Sequence, residues 1–428
     1  MKRTKIFYVV QVSNFTVING EPKWLLRNDA CMNIAIGIIS SILDKYPDEF
    51  EFIVKIPRIS DCSDVESLDN LFDSKYHDRI EFYIERIPIS PVTSRFNFDF
   101  EYHFENRGIF EGIDIMINDE NTLTKNWRVF FDSIGKRFPI VSTNYFMDSP
   151  ISPKSDMKVR YYERQMESLI CSDMFTYPVQ SALDEALEAY DFIYKDRKHL
   201  AKSSVWNIGA FYAEINKGKT EKTYEKIKIY FGNRITDSAN RYTNWHLFAE
   251  AIGRLSERID PSTFEAIILN PTRKITQEQE ALIQELSKGQ VKVLRNEDKF
   301  TREDYVKFIN EAHISCNLFT NEVHGGLTHV EAMMAGCIMI APNINDYLHK
   351  YVDSGRLEDY PFLIDTVDKK IDMDSFVDKL ELAVKSTPFE FEKYGNLNRL
   401  LGYTYGSYEK SCEIIASDIR FLIDSYNK

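Results

Sequence analysis

What most limits the fold of this chain is a rhythm. Short, β-branched apolar runs alternate with stretches whose apolar residues recur at helical spacing, and the pattern starts afresh after a polar break at residues 216–222. In the first series, residues 5–12, 51–56, 79–87, 113–117, 139–143 and 174–177 read as strands. Helices are predicted over 29–43, 123–135, 161–169 and 180–190, the first with Cys31, Ile34, Ile38 and Ile42 on one face. Strands that are apolar throughout, separated by helices, belong to parallel sheets covered on both faces. In the second series, strands at 226–231, 264–269, 291–294, 313–319 and 338–341 alternate with helices at 244–258, 277–288, 302–311 and 327–335. Short connections and five strands in strict alternation predict a doubly wound sheet. Two later helices are read at 373–386 and 408–426. The expected organisation is a Rossmann-like domain over 1–212, a second over 213–405, and a terminal segment 406–428 that crosses back to the first. The connection 88–107 stands apart: Phe96, Phe98, Phe100, Tyr102 and Phe104 alternate with other residues at a strand period inside a long link.

Composition removes several alternatives. With 43% hydrophobic and 13% aromatic residues, disorder is excluded as the main state. No apolar run reaches the roughly 18 residues a membrane span needs. The short run after the initial Met-Lys-Arg is interrupted by Gln11 and lacks a cleavage site, so it reads as a strand and not as a secretory leader. Six scattered cysteines without a CxxC pair suit free thiols in a reducing cytoplasm, the expected location. The net charge of −13 is spread over both halves and argues against a non-specific polyanion binder.

Open parallel sheets bind ligands beyond the carboxyl ends of their strands, which directs attention to two loops of the second series. In Asn321-Glu-Val-His-Gly-Gly-Leu-Thr-His-Val-Glu-Ala-Met-Met-Ala-Gly-Cys337 a strand gives way to two glycines and a helix start. Free N–H groups at a helix start suit a diphosphate, and Gly325 and Gly326 let a ligand approach the backbone. Glu331, about one turn in, is placed to accept hydrogen bonds from ribose hydroxyls. An ordinary loop with an exposed glutamate is the plainer alternative. In the second loop, Gly232-Asn-Arg234 sets a permanent cation at a strand end, with Arg241 further on. Guanidinium forks match phosphate oxygens, so Arg234 is a candidate for neutralising a diphosphate leaving group. For Arg241 a plain surface arginine is the preferred reading.

Taken in order, Gly232-Asn-Arg234, the strands at 264–269 and 291–294, the turn Glu311-Ala-His313 and the Gly325–Cys337 segment resemble the retaining nucleotide-sugar glycosyltransferases of the GT-B fold. The resemblance covers roughly residues 225–350, and the first half by architecture alone. It implies two Rossmann-like α/β domains facing a cleft. It implies that Arg234 contacts the donor diphosphate, Glu331 the ribose, Gly326, Leu327 and Thr328 the phosphates, and that Arg295 falls in the loop meeting the nucleobase. Two positions depart from the family pattern. Many relatives carry a second glutamate where Val323 stands here, with Glu322 one place early, and the usual Lys-Gly pair is replaced by Ala239-Asn240, for which Arg241 is a substitute. His324 is a further candidate for contact with the sugar. A narrower resemblance, carried by Thr328-His-Val-Glu331 with Ala335-Gly-Cys337 and by Ile140–Asp148, is to the DNA α-glucosyltransferases of T-even phages, which glucosylate hydroxymethylcytosine.

The expected activity is therefore metal-independent retaining transfer from a nucleotide sugar, a UDP-sugar first, to a hydroxyl. Asp119-Glu120 and Asp365 make no convincing metal site, and no cofactor beyond the co-substrate is expected. Asp148, at the end of a strand, is read as polarising the acceptor hydroxyl, or else as a turn cap. For a hydroxymethylated pyrimidine in duplex DNA, Lys154, Lys158 and Arg160, with Lys125, Arg128, Lys136 and Arg137, are the candidates for tracking phosphates. The competing readings are a cytosolic enzyme of surface or capsular glycan synthesis and a non-catalytic relative. His329, Trp206, Trp245 and the Met333-Met334 pair are read as packing.

Overall fold

The computed structural model describes residues 2–11, 16–18, 21–23, 30–59, 71–87, 98–144, 160–207, 209–233, 235, 244–270, 275–295, 301–319, 327–343, 360–368 and 370–426. The side chains of Arg160 and Arg295 lie outside that description. The chain forms two units, one of residues 1–208 with 411–428 and one of residues 209–410.

The first unit is built on β1 (Thr4–Val9), β4 (Phe50–Ile59), β5 (Ile80–Ile87), β6 (Ile115–Asn118), β7 (Ile140–Thr143), β8 (Met174–Tyr177) and β9 (Lys202–Val205). The small hairpin β2 (Thr16–Ile18) and β3 (Glu21–Lys23) stands outside this sheet. The seven strands run parallel in the order β5-β4-β1-β6-β7-β8-β9. Ile6 to Val9 of β1 have no exposed surface, as a central strand covered on both faces requires. The helices are α1 (Ala30–Lys45), α2 (Phe100–Glu105), α3 (Thr124–Ser133), α4 (Arg160–Cys171) and α5 (Gln180–Tyr194). Phe7, Tyr83, Phe110, Trp127, Phe130, Phe131 and Phe138 form an aromatic core beneath this sheet.

The Phe-rich connection is helical where it is described, not a strand. Asp99 accepts a hydrogen bond from the Tyr102 N–H and caps α2. Every second aromatic of an alternating run lies four residues from the next but one, and four is also a helical step. Phe98 and Tyr102 pack on the aromatic core while Phe100 and Phe104 stay exposed, so the alternation counted two faces of a helix.

The second unit carries α6 (Tyr212–Lys217), β10 (Ile227–Phe231), α7 (Trp245–Leu255), β11 (Phe264–Asn270), α8 (Gln277–Leu286), β12 (Val291–Arg295), α9 (Arg302–Glu311), β13 (Ile314–Cys316), α10 (Leu327–Met334), β14 (Ile338–Pro342) and β15 (Leu363–Ile364). Its six strands lie in the order β12-β11-β10-β13-β14-β15, again parallel. A hairpin, β16 (Thr366–Val367) and β17 (Lys370–Ile371), precedes α11 (Met373–Val384), α12 (Pro388–Gly406) and α13 (Tyr408–Tyr426). The polar break is structured too. Ile215 of α6 is buried, and Lys222 Nζ donates to the carbonyls of Ala312 and Gly336, just past the ends of α9 and α10. A cation there meets orphan carbonyls at the negative ends of two helices.

Candidate functional site

The strand order of the second unit turns back between β10 and β13, and such a switch point opens a crevice at the carboxyl ends of its strands. What the sequence places there is the Gly232 loop and the start of α10. Thr328, in the first turn of α10, donates its hydroxyl to Asn233 Oδ1 at 3.3 Å. A side chain at Gly232 would reach within 3.6 Å of Thr328 Cβ and 3.0 Å of the Tyr230 ring, so the strand end and the helix start nearly touch. Asn244 Nδ2 donates to the Leu318 carbonyl at 2.7 Å and ties the beginning of α7 to the chain leaving β13. Leu327 and Thr328 thus stand where the sequence places them, at a helix start over the switch point. Arg234, Arg241, His324, Gly325 and Gly326 lie outside the described residues. Arg295 ends β12 opposite Asn270.

Glu331 is not the exposed glutamate of the plainer alternative. Its side chain is 8% exposed, with Arg302 Nη1 2.6 Å from Oε1 and the Tyr305 hydroxyl donating to Oε2 at 2.8 Å. Both partners come from α9, one turn apart. Arg302 also grips Glu214 of α6 with Nε at 3.1 Å and Nη2 at 3.0 Å. Burial works against the guanidinium charge, but Glu331 and Glu214 outweigh it and raise its pKa above the ordinary value. Burial first and the neighbouring Glu331 second push the Tyr305 hydroxyl well above its usual range, so it serves as a donor. Arg302 and Tyr305 are not marked as site residues by the sequence. Their three-residue spacing sets them on one helix face, but nothing local says what that face meets.

His329 and the two methionines are packing, as expected. His329 is buried, and desolvation pushes its pKa down to about 3. Met333 and Met334 are buried as well. Trp245 is buried, and Trp206, also buried, donates Nε1–H to Asp418 at 2.8 Å.

The first unit has its own switch point, between β1 and β6, and the turn that leaves β6 occupies it. The Asp119 N–H donates to the Val9 carbonyl at 2.9 Å, bridging the two strands, and the fully buried Asp119 carboxylate accepts from the Thr143 hydroxyl. Asn118 Nδ2 donates to the Glu120 carbonyl and to Thr124 Oγ1, both at 3.0 Å. Asn121 donates to Asn144 Oδ1 at 2.7 Å. From sequence, Asp119 comes into view only as a possible metal ligand. A strand–Asp–helix order marks it as a switch-point residue once the sheet order is known. Among the described residues, no group of three His, Cys, Asp or Glu side chains is arranged to hold a metal ion.

Beside that turn is a sealed ionic cluster. Lys55 Nζ lies 2.6 Å from Glu85 Oε2 and 3.2 Å from Glu120 Oε2, all three side chains at most 3% exposed. His103 Nε2 lies 3.0 Å from Glu85 Oε1, and its Nδ1 is 2.9 Å from the Tyr83 hydroxyl. Burial alone would raise the Glu85 pKa, but Lys55 and His103 overcome it and bring it down to about 2.

Asp148, Lys154 and Lys158 lie outside the described residues, and Arg160 opens α4. Three cations offered for phosphate tracking have partners instead. Lys125 pairs with Glu167 at 2.7 Å, Arg128 with Asp173 at 2.5 Å, and Lys136 with Glu111 at 2.5 Å.

No protein-family model and no curated protein matches this chain. Solved structures do. A trehalose-6-phosphate structure from E. coli bound with UDP-2-fluoro glucose is 11% identical, with a TM-score of 0.64 over 97% of this chain and 99% of that one. An α,α-trehalose-phosphate synthase (UDP-forming) from Burkholderia xenovorans, in complex with glucose-6-phosphate, is 11% identical, with a TM-score of 0.61 over 97% and 100%. A glycosyltransferase from Rickettsia africae is 10% identical, with a TM-score of 0.65 over 99% of each chain. The fold, with its 7- and 6-stranded parallel sheets, is the GT-B fold.

Proposed function

We propose that the chain is a retaining glycosyltransferase that draws its sugar from a nucleotide sugar, a UDP-sugar in the first instance, and works without a metal ion. One observation carries this reading: the start of α10, the Gly232–Asn233 strand end and Glu331 meet at the switch point of the second unit. There the free N–H groups of α10 face a diphosphate, and Glu331 takes the ribose. As the glycosidic bond to the β-phosphate breaks, negative charge grows on the leaving oxygens. Preorganised dipoles and a permanent cation lower that barrier without needing to reorient, a role given to the α10 start and to Arg234, with Arg241 in reserve. Gly325, Gly326, Leu327 and Thr328 contact the phosphates, Arg295 lies by the base, and His324 by the sugar. Two of the solved neighbours hold UDP-2-fluoro glucose and glucose-6-phosphate, and the first agrees with a UDP-sugar donor.

The acceptor is a hydroxyl, oriented by the carboxylate of Asp148. The proposed acceptor is a 5-hydroxymethylated pyrimidine in DNA, with Lys154, Lys158 and Arg160 on its phosphates. With Lys125, Arg128 and Lys136 paired to carboxylates, that reading rests on those three residues and on the exposed Arg137. The test is a transfer assay with UDP-glucose and other nucleotide sugars, offering hydroxymethylated duplex DNA, plain DNA and glucose-6-phosphate. Transfer to hydroxymethylated DNA alone supports the whole reading. Transfer to the sugar phosphate, with DNA ignored, moves the acceptor to the glycan class. Neither donor binding nor turnover would leave a non-catalytic relative.

A further inference from the structure

We infer that Arg302 and Tyr305 are positioning residues for Glu331, and that together they make the donor site select ribonucleoside diphosphates over their 2′-deoxy counterparts. The inference rests on the donor reading above and names what that site demands of its nucleotide.

The Glu331 carboxylate is nearly sealed, yet it sits one turn from the start of α10, over the switch point. Each of its oxygens is engaged once, Oε1 by Arg302 and Oε2 by Tyr305. A carboxylate oxygen accepts about two hydrogen bonds, so each oxygen keeps one acceptor direction. Arg302 and Tyr305 lie one turn apart on α9, so both engagements come from the same helix. A group that fills the two remaining directions must donate twice at the spacing of two carboxylate oxygens and carry no negative charge. A vicinal diol does so, and on a nucleotide the only one is the 2′,3′-diol of the ribose. A 2′-deoxyribose would leave one of the two directions unfilled in a site with little water to replace it.

Arg302 adds a constraint. It is held from behind by Glu214, and that grip uses Nε and Nη2, leaving Nη1 for Glu331. The guanidinium plane is fixed before any ligand arrives, and Glu331 is fixed with it. A group held in its working orientation avoids losing side-chain freedom on binding, which raises affinity and sharpens discrimination. Lysine, a point charge on a flexible stem, cannot hold both carboxylates in this way.

The experiment is calorimetric binding of UDP, ADP and GDP, each against its 2′-deoxy form, to the full chain and to Tyr305→Phe, Arg302→Lys and Glu214→Gln. The wild type should prefer the ribo form of its nucleotide about 10- to 100-fold, the range of one hydrogen bond to a charged group. Tyr305→Phe and Arg302→Lys should bring that ratio below about five, chiefly by weakening the ribo form, with the deoxy form changed less than about threefold. Glu214→Gln, which loosens the grip on Arg302 from behind, should lower the ratio part of the way. Melting curves separate a folded variant from a damaged one, and Tyr305→Phe is close to isosteric. A ratio unchanged in both folded variants overturns the inference and leaves the donor reading intact. No binding of any nucleoside diphosphate by the wild type overturns both.

Discussion

Lys55 is the cation on which the interior of the first unit depends. It lies between Glu85 and Glu120, with His103 and Tyr83 completing the chain of contacts. Lys55→Met would leave two carboxylates in a dry interior without a positive partner, and breaking such a pair costs about 3–5 kcal/mol. Urea unfolding should show that loss, whereas Lys125→Met, at an exposed pair, should change stability by less than about 1 kcal/mol. The buried histidines give a pH signature. Burial lowers the pKa of His103, brings that of His313 to about 4 and that of His329 to about 3. Their unfolded forms take up protons near 6.5, where the folded forms do not. Stability is therefore complete above 6.5 and falls as pH drops, by about 1.4 kcal/mol per unit per histidine until each folded pKa is reached. Between pH 6.5 and 5 carboxylates add little, so the urea midpoint in that window reports the histidines. His329→Gln should flatten the slope by about one proton, and an unchanged slope would show that His329 is not held neutral.

At the scale of elements, α12 decides how firmly α10 is seated. It packs on α10 through Gly395, Gly402 and Gly406. A Cβ on Gly395 would meet the Gly336 carbonyl oxygen at 2.6 Å, one on Gly402 would meet Met334 at 3.0 Å, and one on Gly406 would collide with Val330. Gly336 closes α10 at φ +74°, a left-handed turn that suits only glycine. Gly406→Ala should cost about 1–3 kcal/mol in thermal or urea unfolding, because the extra methyl enters a filled contact. Since Val330 adjoins Glu331, the same variant should raise the donor KM several-fold while sparing kcat, and donor titration checks this. Sequence periodicity assigns no helix to this segment. Its tyrosines and glycines blur any apolar period, although Thr387-Pro388 with Glu390 is a helix-start signature and the box is formed, Thr387 accepting from the Glu390 N–H. The glycine spacing of seven and four residues is the sign of a face pressed against another helix.

For the whole molecule, a net charge of −13 means that, in the proposed reaction, charge on a departing diphosphate has to be met locally. If dipoles and arginine meet it, turnover in excess chelator should equal turnover with Mg²⁺. A loss restored by the ion would show a missed carboxylate site. Reversing charge at Lys154, Lys158 and Arg160 should weaken binding to hydroxymethylated DNA and reduce its salt dependence by about one unit for each phosphate no longer neutralised. Normal modification by that variant would remove DNA from the first unit's surface. The alternation of strand and helix was legible in sequence because a central parallel strand is covered on both faces, and β1, β10 and β14 are apolar runs for that reason. Leu327, Thr328 and Glu331 were legible because a strand end, a glycine pair and a helix start lie together along the chain. Strand order, by contrast, is a matter of which edges meet, and only the folded sheets reveal that Asp119 and Asn233 stand at switch points. The partners of Glu331 and Lys55 come from elements 26 to 65 residues away, and charges so distant in sequence are paired by packing alone.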